Sequence, residues 1–61
     1  MKGMYVQITN KFHEEIYGVI ISEDEMSYLL ETVEVYDGLG APEKYNNLIV
    51  YKKEITKLNH M

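Results

Sequence analysis

The chain contains no cysteine, and this absence excludes disulfide bonds and thiolate zinc sites. Its 61 residues make one domain at most, so we treat residues 1–61 as a single domain. A chain of this size buries only about 60% of its unfolded surface and is marginally stable alone. Small domains usually gain stability from disulfides, a metal or oligomerisation. His13 and His60 do not form a metal centre without carboxylate ligands, so we expect oligomerisation.

Long apolar runs are also absent. No segment approaches the roughly 20 apolar residues that a membrane-spanning helix needs. The residues after Lys2 alternate in polarity and do not form the apolar core of a signal peptide. We therefore expect a cytoplasmic protein that does not associate with membranes.

Positive charge is scarce and unevenly placed. All but one of the 10 acidic residues lie between Phe12 and Glu43, and the six basic residues, all lysines, lie outside that window. This asymmetry predicts an acidic face and a small basic corner. Duplex DNA binding needs an extended basic surface, so the charge pattern argues against it. A compact pocket that holds one or a few phosphates fits the pattern better.

Motifs for catalysis are missing as well. The sequence has no nucleophile–base motif, no glycine-rich phosphate loop and no metal-ligand spacing. The acidic groups Glu14-Glu15 and Glu23-Asp24-Glu25 have two interpretations: acid–base or oxygen-ligand sites, or solvated turns. We favour solvated turns because no nucleophile accompanies them. We therefore expect a non-enzymatic protein without a metal or cofactor.

Apolar patterning predicts strands in the first half of the chain. Met4 to Thr9 alternates between apolar and polar residues, as in a half-buried strand. A turn at Asn10-Lys11 follows, because asparagine tolerates left-handed dihedral angles. His13 to Ile21 becomes apolar on both faces, and Gly18 within it marks a bend.

The middle of the chain has two interpretations. Ser22 and Glu25 fit a helix capping box, so one interpretation is a helix from Ser22 to Glu34. The alternating, β-type run from Thr32 to Tyr36 favours the other, a third strand from Met26 to Tyr36.

The last third of the sequence predicts a long loop and two short strands. The loop, Asp37 to Asn47, is a candidate binding loop or flap. The strands, Leu48 to Tyr51 and Ile55 to Leu58, are joined by a sharp bend that exposes Lys52 and Lys53. Together the sequence predicts five antiparallel strands in one meander that closes a small barrel.

The bend is the most informative candidate site. Lys52 and Lys53 beside Tyr51 combine a pair of cations with an aromatic face, which suits an anionic planar ligand such as a nucleotide. The alternative is a solvated turn next to a core tyrosine. Tyr36 and Tyr45 flank the loop and form either an aromatic clamp or packing anchors.

Two segments resemble the signature segments of the Sm-like family, with Hfq-like members nearest. They are Gly18-Val-Ile-Ile-Ser-Glu-Asp-Glu-Met-Ser-Tyr-Leu-Leu30 and Val50-Tyr-Lys-Lys-Glu-Ile-Thr56. The resemblance implies an all-β, SH3-like barrel of five strongly bent strands. It also implies a ring in which the fourth strand pairs with a neighbour's fifth strand, and binding of single-stranded RNA around the pore.

The resemblance further implies which residues bind. Tyr51, Lys52 and Lys53 correspond to the pore-side pocket of the family, and Asp24, Glu25 and Met26 correspond to the turn that lines the nucleotide. Lys53 stands where Hfq-like proteins have histidine, and Glu25-Met26 stands where they have glutamine and an aromatic residue.

Three functional hypotheses follow. The first is an Sm-like ring that binds single-stranded RNA or nucleotides through Tyr51, Lys52 and Lys53. The second is the same oligomer as a small phage-type or bacterial protein that sequesters a nucleotide signal in pockets between subunits, closed by the Asp37 to Asn47 loop. The third is an inhibitor or adaptor whose acidic face, Glu14 to Asp37, docks on a basic protein or mimics nucleic acid.

Overall fold

The computed structural model describes residues 3–61, which form an all-β domain. The five strands are β1 (Met4–Asn10), β2 (Glu15–Glu23), β3 (Ser27–Tyr36), β4 (Glu43–Tyr51) and β5 (Ile55–His60). A single 3₁₀ turn, Lys52–Glu54, connects β4 to β5. The predicted fold class is confirmed, and the helical interpretation of residues 22–34 is wrong. No helix in the described part of the chain is long and apolar enough to cross a membrane.

The strands form one antiparallel sheet in the order β4-β3-β2-β1-β5. The prediction of a single meander is wrong for the last strand, because β5 pairs with β1, with Leu58 opposite Ile8. Strands β4 and β5 are the two edges and do not pair with each other. The sheet is therefore open, and the predicted closed barrel is corrected to five strands with two free edges.

One face of the sheet forms the hydrophobic core. In β1, Val6 and Ile8 are fully buried, while Gln7 between them is half-buried, as the alternating pattern predicts. The buried apolar residues are Val6, Ile8, Ile16, Ile20, Leu30, Val33, Val35 and Val50. Full burial of one such side chain stabilises a fold by about 1.5–3 kcal/mol.

The predicted irregularity at Gly18 is confirmed. Tyr17 pairs with Glu34, but Val19 pairs with Glu31, so β3 holds one more residue than β2 at this point. A β-carbon at Gly18 would lie 3.2 Å from a Val33 methyl carbon and equally close to the Glu31 carbonyl oxygen. Glycine is therefore the residue that lets the two backbones approach. Such bulges bend and twist a strand pair.

The connection between β3 and β4 is shorter than predicted. It spans residues 37–42, because β4 begins at Glu43 opposite Val35. The predicted loop extended to Asn47 because residues 43–47 are polar and exposed and show no apolar alternation. Pairing with β3 makes this segment a strand, and local sequence pattern does not reveal that.

The turn between β1 and β2 is built around Asn10. Its side-chain Oδ1 accepts hydrogen bonds from the backbone N–H groups of Phe12 and Glu14, both at 3.0 Å. His13 adopts a positive φ of 66° within this turn. Asn10 is only 6% exposed, so the predicted turn is confirmed with the asparagine as its buried centre.

Candidate functional site

The turn after β2 meets the 3₁₀ turn after β4. Ser27 pairs with Tyr51 at the ends of β3 and β4, and the backbone N–H of Lys52 donates a 2.8 Å hydrogen bond to the Met26 carbonyl. Residues separated by half of the chain therefore form one surface. All six predicted site residues lie on it: Tyr51, Lys52, Lys53, Asp24, Glu25 and Met26. Their role in binding stays a prediction.

Asp24 organises the first of these turns. Its Oδ1 atom accepts hydrogen bonds from the backbone N–H groups of Met26 and Ser27, each at 2.8 Å, and from the Ser27 hydroxyl at 3.2 Å. These bonds, with the one from Met26 foremost, hold the pKa of the Asp24 carboxyl below its usual range. One carboxylate oxygen is thus engaged within the turn, so Asp24 shapes the surface by fixing the Met26 backbone.

The Lys52 side chain is held by residues at the end of β2 and the start of β3. Its Nζ atom donates a 2.7 Å hydrogen bond to Glu23 Oε2 and lies 5.0 Å from the centre of the Tyr28 ring. The bond to Glu23 raises the pKa of the Lys52 ammonium. Of the two lysines at the bend, Lys53 is exposed, whereas the Lys52 side chain is 32% exposed and its charge is balanced by Glu23.

Sequence reasoning missed Glu23 and Tyr28 as partners of Lys52. Glu23 was recognised as part of an acidic turn, and Lys52 as part of a basic bend, but the pairing depends on β3 and β4 ending together. The sequence does contain a signal for this pairing. The family resemblance places the acidic turn Glu23-Asp24-Glu25 beside the pocket that contains Lys52.

Tyr51 and Lys53 remain open to solvent. Val50 points into the core, so the alternation of β4 turns Tyr51 outward, where it is 48% exposed. This rules out the alternative interpretation of Tyr51 as a core tyrosine. Lys53 is exposed, and the ion pairs found among residues 3–61 join Lys44 to Glu34 and Lys52 to Glu23. The site therefore offers one aromatic face and one uncompensated ammonium group.

The rest of this surface is apolar or acidic. Met26 is 63% exposed beside the site, and Ile49, two residues before Tyr51 on the same face of β4, is 54% exposed. Glu25 is exposed on the same turn. An aromatic ring, flanking apolar side chains and a lone cation can stack a base and hold one phosphate. The nearby carboxylate of Glu25 disfavours several phosphates at once.

The surface adjoins an unpaired strand. β4 is an edge of the sheet, and β5, reached through the 3₁₀ turn, is the other edge. Edge strands present free backbone N–H and C=O groups to a further strand. The candidate site therefore lies at the end of one edge strand and next to the start of the other.

Comparisons with known proteins give a fold but no sequence family. No family model matches the chain, and no curated protein matches it. A solved Sm protein of Pyrococcus abyssii in complex with a uridine heptamer is similar in structure, with a TM-score of 0.86 and 15% identity. The match covers 98% of this chain and 86% of that one.

Two further solved structures are similar. A heptameric archaeal Sm protein has a TM-score of 0.81 and 24% identity, and the match covers 97% of this chain and 87% of that one. A chain of the NatC complex bound to CoA has a TM-score of 0.82 and 16% identity, over 93% of this chain and 74% of that one. The protein therefore has the Sm-like fold, which confirms what the two resembling segments predicted.

Proposed function

We propose that this protein is a non-enzymatic, Sm-like oligomeric module that binds single-stranded RNA at the junction of the two turns. The observation that carries the proposal is the meeting of the Asp24–Met26 turn with Tyr51 and Lys53 on an Sm-like fold. Similar structures include one described as heptameric and one in complex with a uridine heptamer. The fold, the exposed aromatic ring and the free cation support the same function.

Assembly is proposed to use the two free edges. β4 of one copy would pair with β5 of the next, which satisfies the backbone groups that both edges leave open. Such a head-to-tail contact uses different surfaces on the two copies, and it generates a ring when the rotation between copies closes. It would also supply the stability that a chain of this length lacks. Each copy would contribute one Tyr51 and one Lys53 to the ring.

Within the site, we assign separate roles to the two residues. Tyr51 would stack on a base, because an exposed ring accepts any base face. Lys53 would pair with a phosphate. Lys52 would contribute mainly through its backbone and its contact with Glu23, since its charge is already balanced. Binding through one free lysine per copy predicts modest affinity that depends on several copies acting together.

The nucleotide-sequestering alternative has less support. It relied on the loop between β3 and β4 as a flap, and that loop spans only residues 37–42. Tyr51 lies at the opposite end of β4 from Glu43, about 27 Å away along an extended strand of this length. A six-residue loop therefore does not cover Tyr51 of its own subunit, so closure of a pocket between subunits would need the loop of a neighbouring copy.

The test is to measure mass and RNA binding together. Light scattering after gel filtration should give a mass of several copies. Fluorescence anisotropy should show binding of labelled oligouridine in wild type and a fall of about tenfold in Lys53→Ala, because each lost phosphate contact weakens binding in every copy. Tyr51→Leu should weaken binding by a similar amount, through lost stacking of about 1–3 kcal/mol per base.

Lys44→Ala is the matched control. Lys44 is an exposed lysine near the start of β4, whereas Tyr51 is the last residue of that strand. Its Nζ atom lies 3.8 Å from a Glu34 carboxylate oxygen. Its removal lowers the net charge equally and should change RNA affinity less than Lys53→Ala does. Equal losses in both variants, or unchanged binding in Lys53→Ala with the oligomer intact, would refute the proposed site.

A further inference from the structure

The outer face of the sheet carries a groove lined by tyrosines. Tyr5 on β1, Tyr17 on β2 and Tyr36 on β3 each neighbour a core residue in sequence, so they project to the opposite side. With Glu15 and Glu34 they enclose a depression of about 340 Å³. These three strands are the interior of the sheet, so this part of the groove lies away from both edge strands.

A second depression continues the first. It shares Tyr5 and Glu34, has a volume of about 660 Å³, and extends across β3 to β4 past Glu31 and Tyr45. The two together form a channel that crosses several strands. A depression that runs across strands β1 to β4 fits an extended chain better than a compact small molecule.

Two of these tyrosines, Tyr17 and Tyr36, contact each other and neighbouring carboxylates. The rings of Tyr17 and Tyr36 pack edge to face, with centroids 5.5 Å apart and planes at 81°. The Tyr36 hydroxyl donates to Glu34 Oε1 at 3.2 Å, and the Tyr17 hydroxyl donates to Glu15 Oε1 at 3.4 Å. Each ring therefore has a carboxylate beside it. Of the two interpretations of Tyr36, packing is the one observed, since its ring contacts Tyr17 on the neighbouring strand.

The charge of the groove is negative. Glu15, Glu31 and Glu34 line it, and the lysine that lines it is Lys44, whose side chain is 74% exposed at 3.8 Å from Glu34. RNA is repelled by such a surface. A cation that enters the groove meets carboxylates and aromatic faces together.

The same protein shows how this combination holds a cation. At the candidate RNA site, Lys52 lies over the Tyr28 ring and donates to the Glu23 carboxylate. The groove repeats the pairing of tyrosine with glutamate at Tyr17 with Glu15 and at Tyr36 with Glu34. Aromatic rings within about 6 Å of an ammonium or guanidinium group attract it.

We propose that this groove binds an extended segment of a partner protein that carries arginine or lysine side chains. The basic side chains would lie over Tyr17 and Tyr36 and pair with Glu15 and Glu34. This site is distinct from the RNA site in position and in charge, so both can be occupied together. It makes the protein an adaptor between RNA and a basic protein segment.

The experiment uses labelled peptides and the 61-residue chain in whatever assembly it forms in solution. Fluorescence anisotropy at low salt should show binding of a peptide of about twelve residues made of Arg-Gly-Ser repeats. A peptide of equal length made of Glu-Gly-Ser repeats should not bind. The double variant Glu15→Gln with Glu34→Gln should bind the arginine peptide about tenfold more weakly, as expected for two exposed ion pairs. Tyr17→Leu should lose about threefold by removing a cation–π contact.

Glu54→Gln is the matched control, since it removes one carboxylate from the 3₁₀ turn, outside the groove. It should retain peptide affinity within about twofold of wild type. The proposal would be overturned if wild type did not bind the arginine peptide, or if Glu54→Gln lost as much peptide affinity as the double variant. It would also be overturned if oligouridine binding depended on Tyr17. Retained oligouridine binding in the double glutamate variant would show that the two sites are separate.

Discussion

Lys52 Nζ donates a 2.7 Å hydrogen bond to Glu23 Oε2, and this contact ties the end of β2 to the turn after β4. It places the Lys52 charge against a carboxylate at the surface proposed to hold phosphate. The protein therefore presents Lys53 alone as an uncompensated cation at that position. The contact gives a prediction about ligand affinity.

Replacing Glu23 with glutamine should strengthen RNA binding. Glu23→Gln keeps the length of the side chain but releases the Lys52 charge for phosphate, so oligouridine affinity should rise about threefold, in the range of one exposed ion pair. Anisotropy at fixed ionic strength measures the change. Glu54→Gln alters net charge equally and should give a smaller gain. An equal gain in both variants would assign the effect to net charge.

Asp24 should make the free energy of unfolding depend on pH in the acid range. Its pKa is held below the usual range by hydrogen bonds, chiefly from the Met26 N–H. A carboxyl whose pKa is lower in the folded than in the unfolded chain stabilises the fold above its unfolded pKa, near 4, and this stabilisation is lost as pH falls through the folded value. Asp24→Asn should therefore be less stable than wild type at neutral pH, with the difference shrinking below about pH 4.

Urea denaturation of both proteins at neutral pH and near pH 3 measures this difference. Comparing the two proteins cancels the protonation of the other acidic residues. A stability difference that stays constant across this range would contradict the assignment.

Gly18 should not tolerate a side chain. Gly18→Ala places a β-carbon 3.2 Å from a Val33 methyl carbon and from the Glu31 carbonyl oxygen, so we expect a loss of about 1–3 kcal/mol in the free energy of unfolding. Val33→Ala in the same chain removes one of these contacts. The double variant should therefore lose less than the sum of the two single losses. Strict additivity in chemical denaturation would show that Val33 does not limit the space at Gly18.

Asn10 should be the most sensitive position of the first turn. Asn10→Ala leaves the Phe12 and Glu14 N–H groups without their acceptor, which we expect to destabilise the fold by about 1–3 kcal/mol. Lys11→Ala, in the same turn but exposed, should change stability by less than about 0.5 kcal/mol. Thermal unfolding of both variants tests the contrast, and equal shifts would contradict the role of Asn10.

Part of the fold was predictable because local pattern and environment agree. Val6 and Ile8 alternate with polar neighbours, so β1 was predicted within one residue of its observed end. Gly18 stood out as the one glycine inside an apolar run. The two segments resembling the Sm-like family predicted the fold that structural similarity confirms.

Other features depend on long-range pairing. The polar first half of β4 is a strand because it pairs with β3, and β5 joins β1 because the chain turns back after Glu54. Neither fact is visible in a window of neighbouring residues. At the candidate site, Tyr51 and Lys53 were predicted from chemistry. The pairing of the Lys52 charge with Glu23 was not predicted, because it depends on two segments from different hairpins meeting.

The bulge opposite Gly18 has a consequence for the number of copies in a proposed assembly. Thr32, the extra residue of β3, has a φ of 53°, so the sheet changes direction between its two free edges at this point. In an assembly joined through those edges, the angle between β4 and β5 of each subunit sets the rotation from one copy to the next. A different curvature at residue 32 would then alter the circumference, or leave an open filament in place of a closed circle.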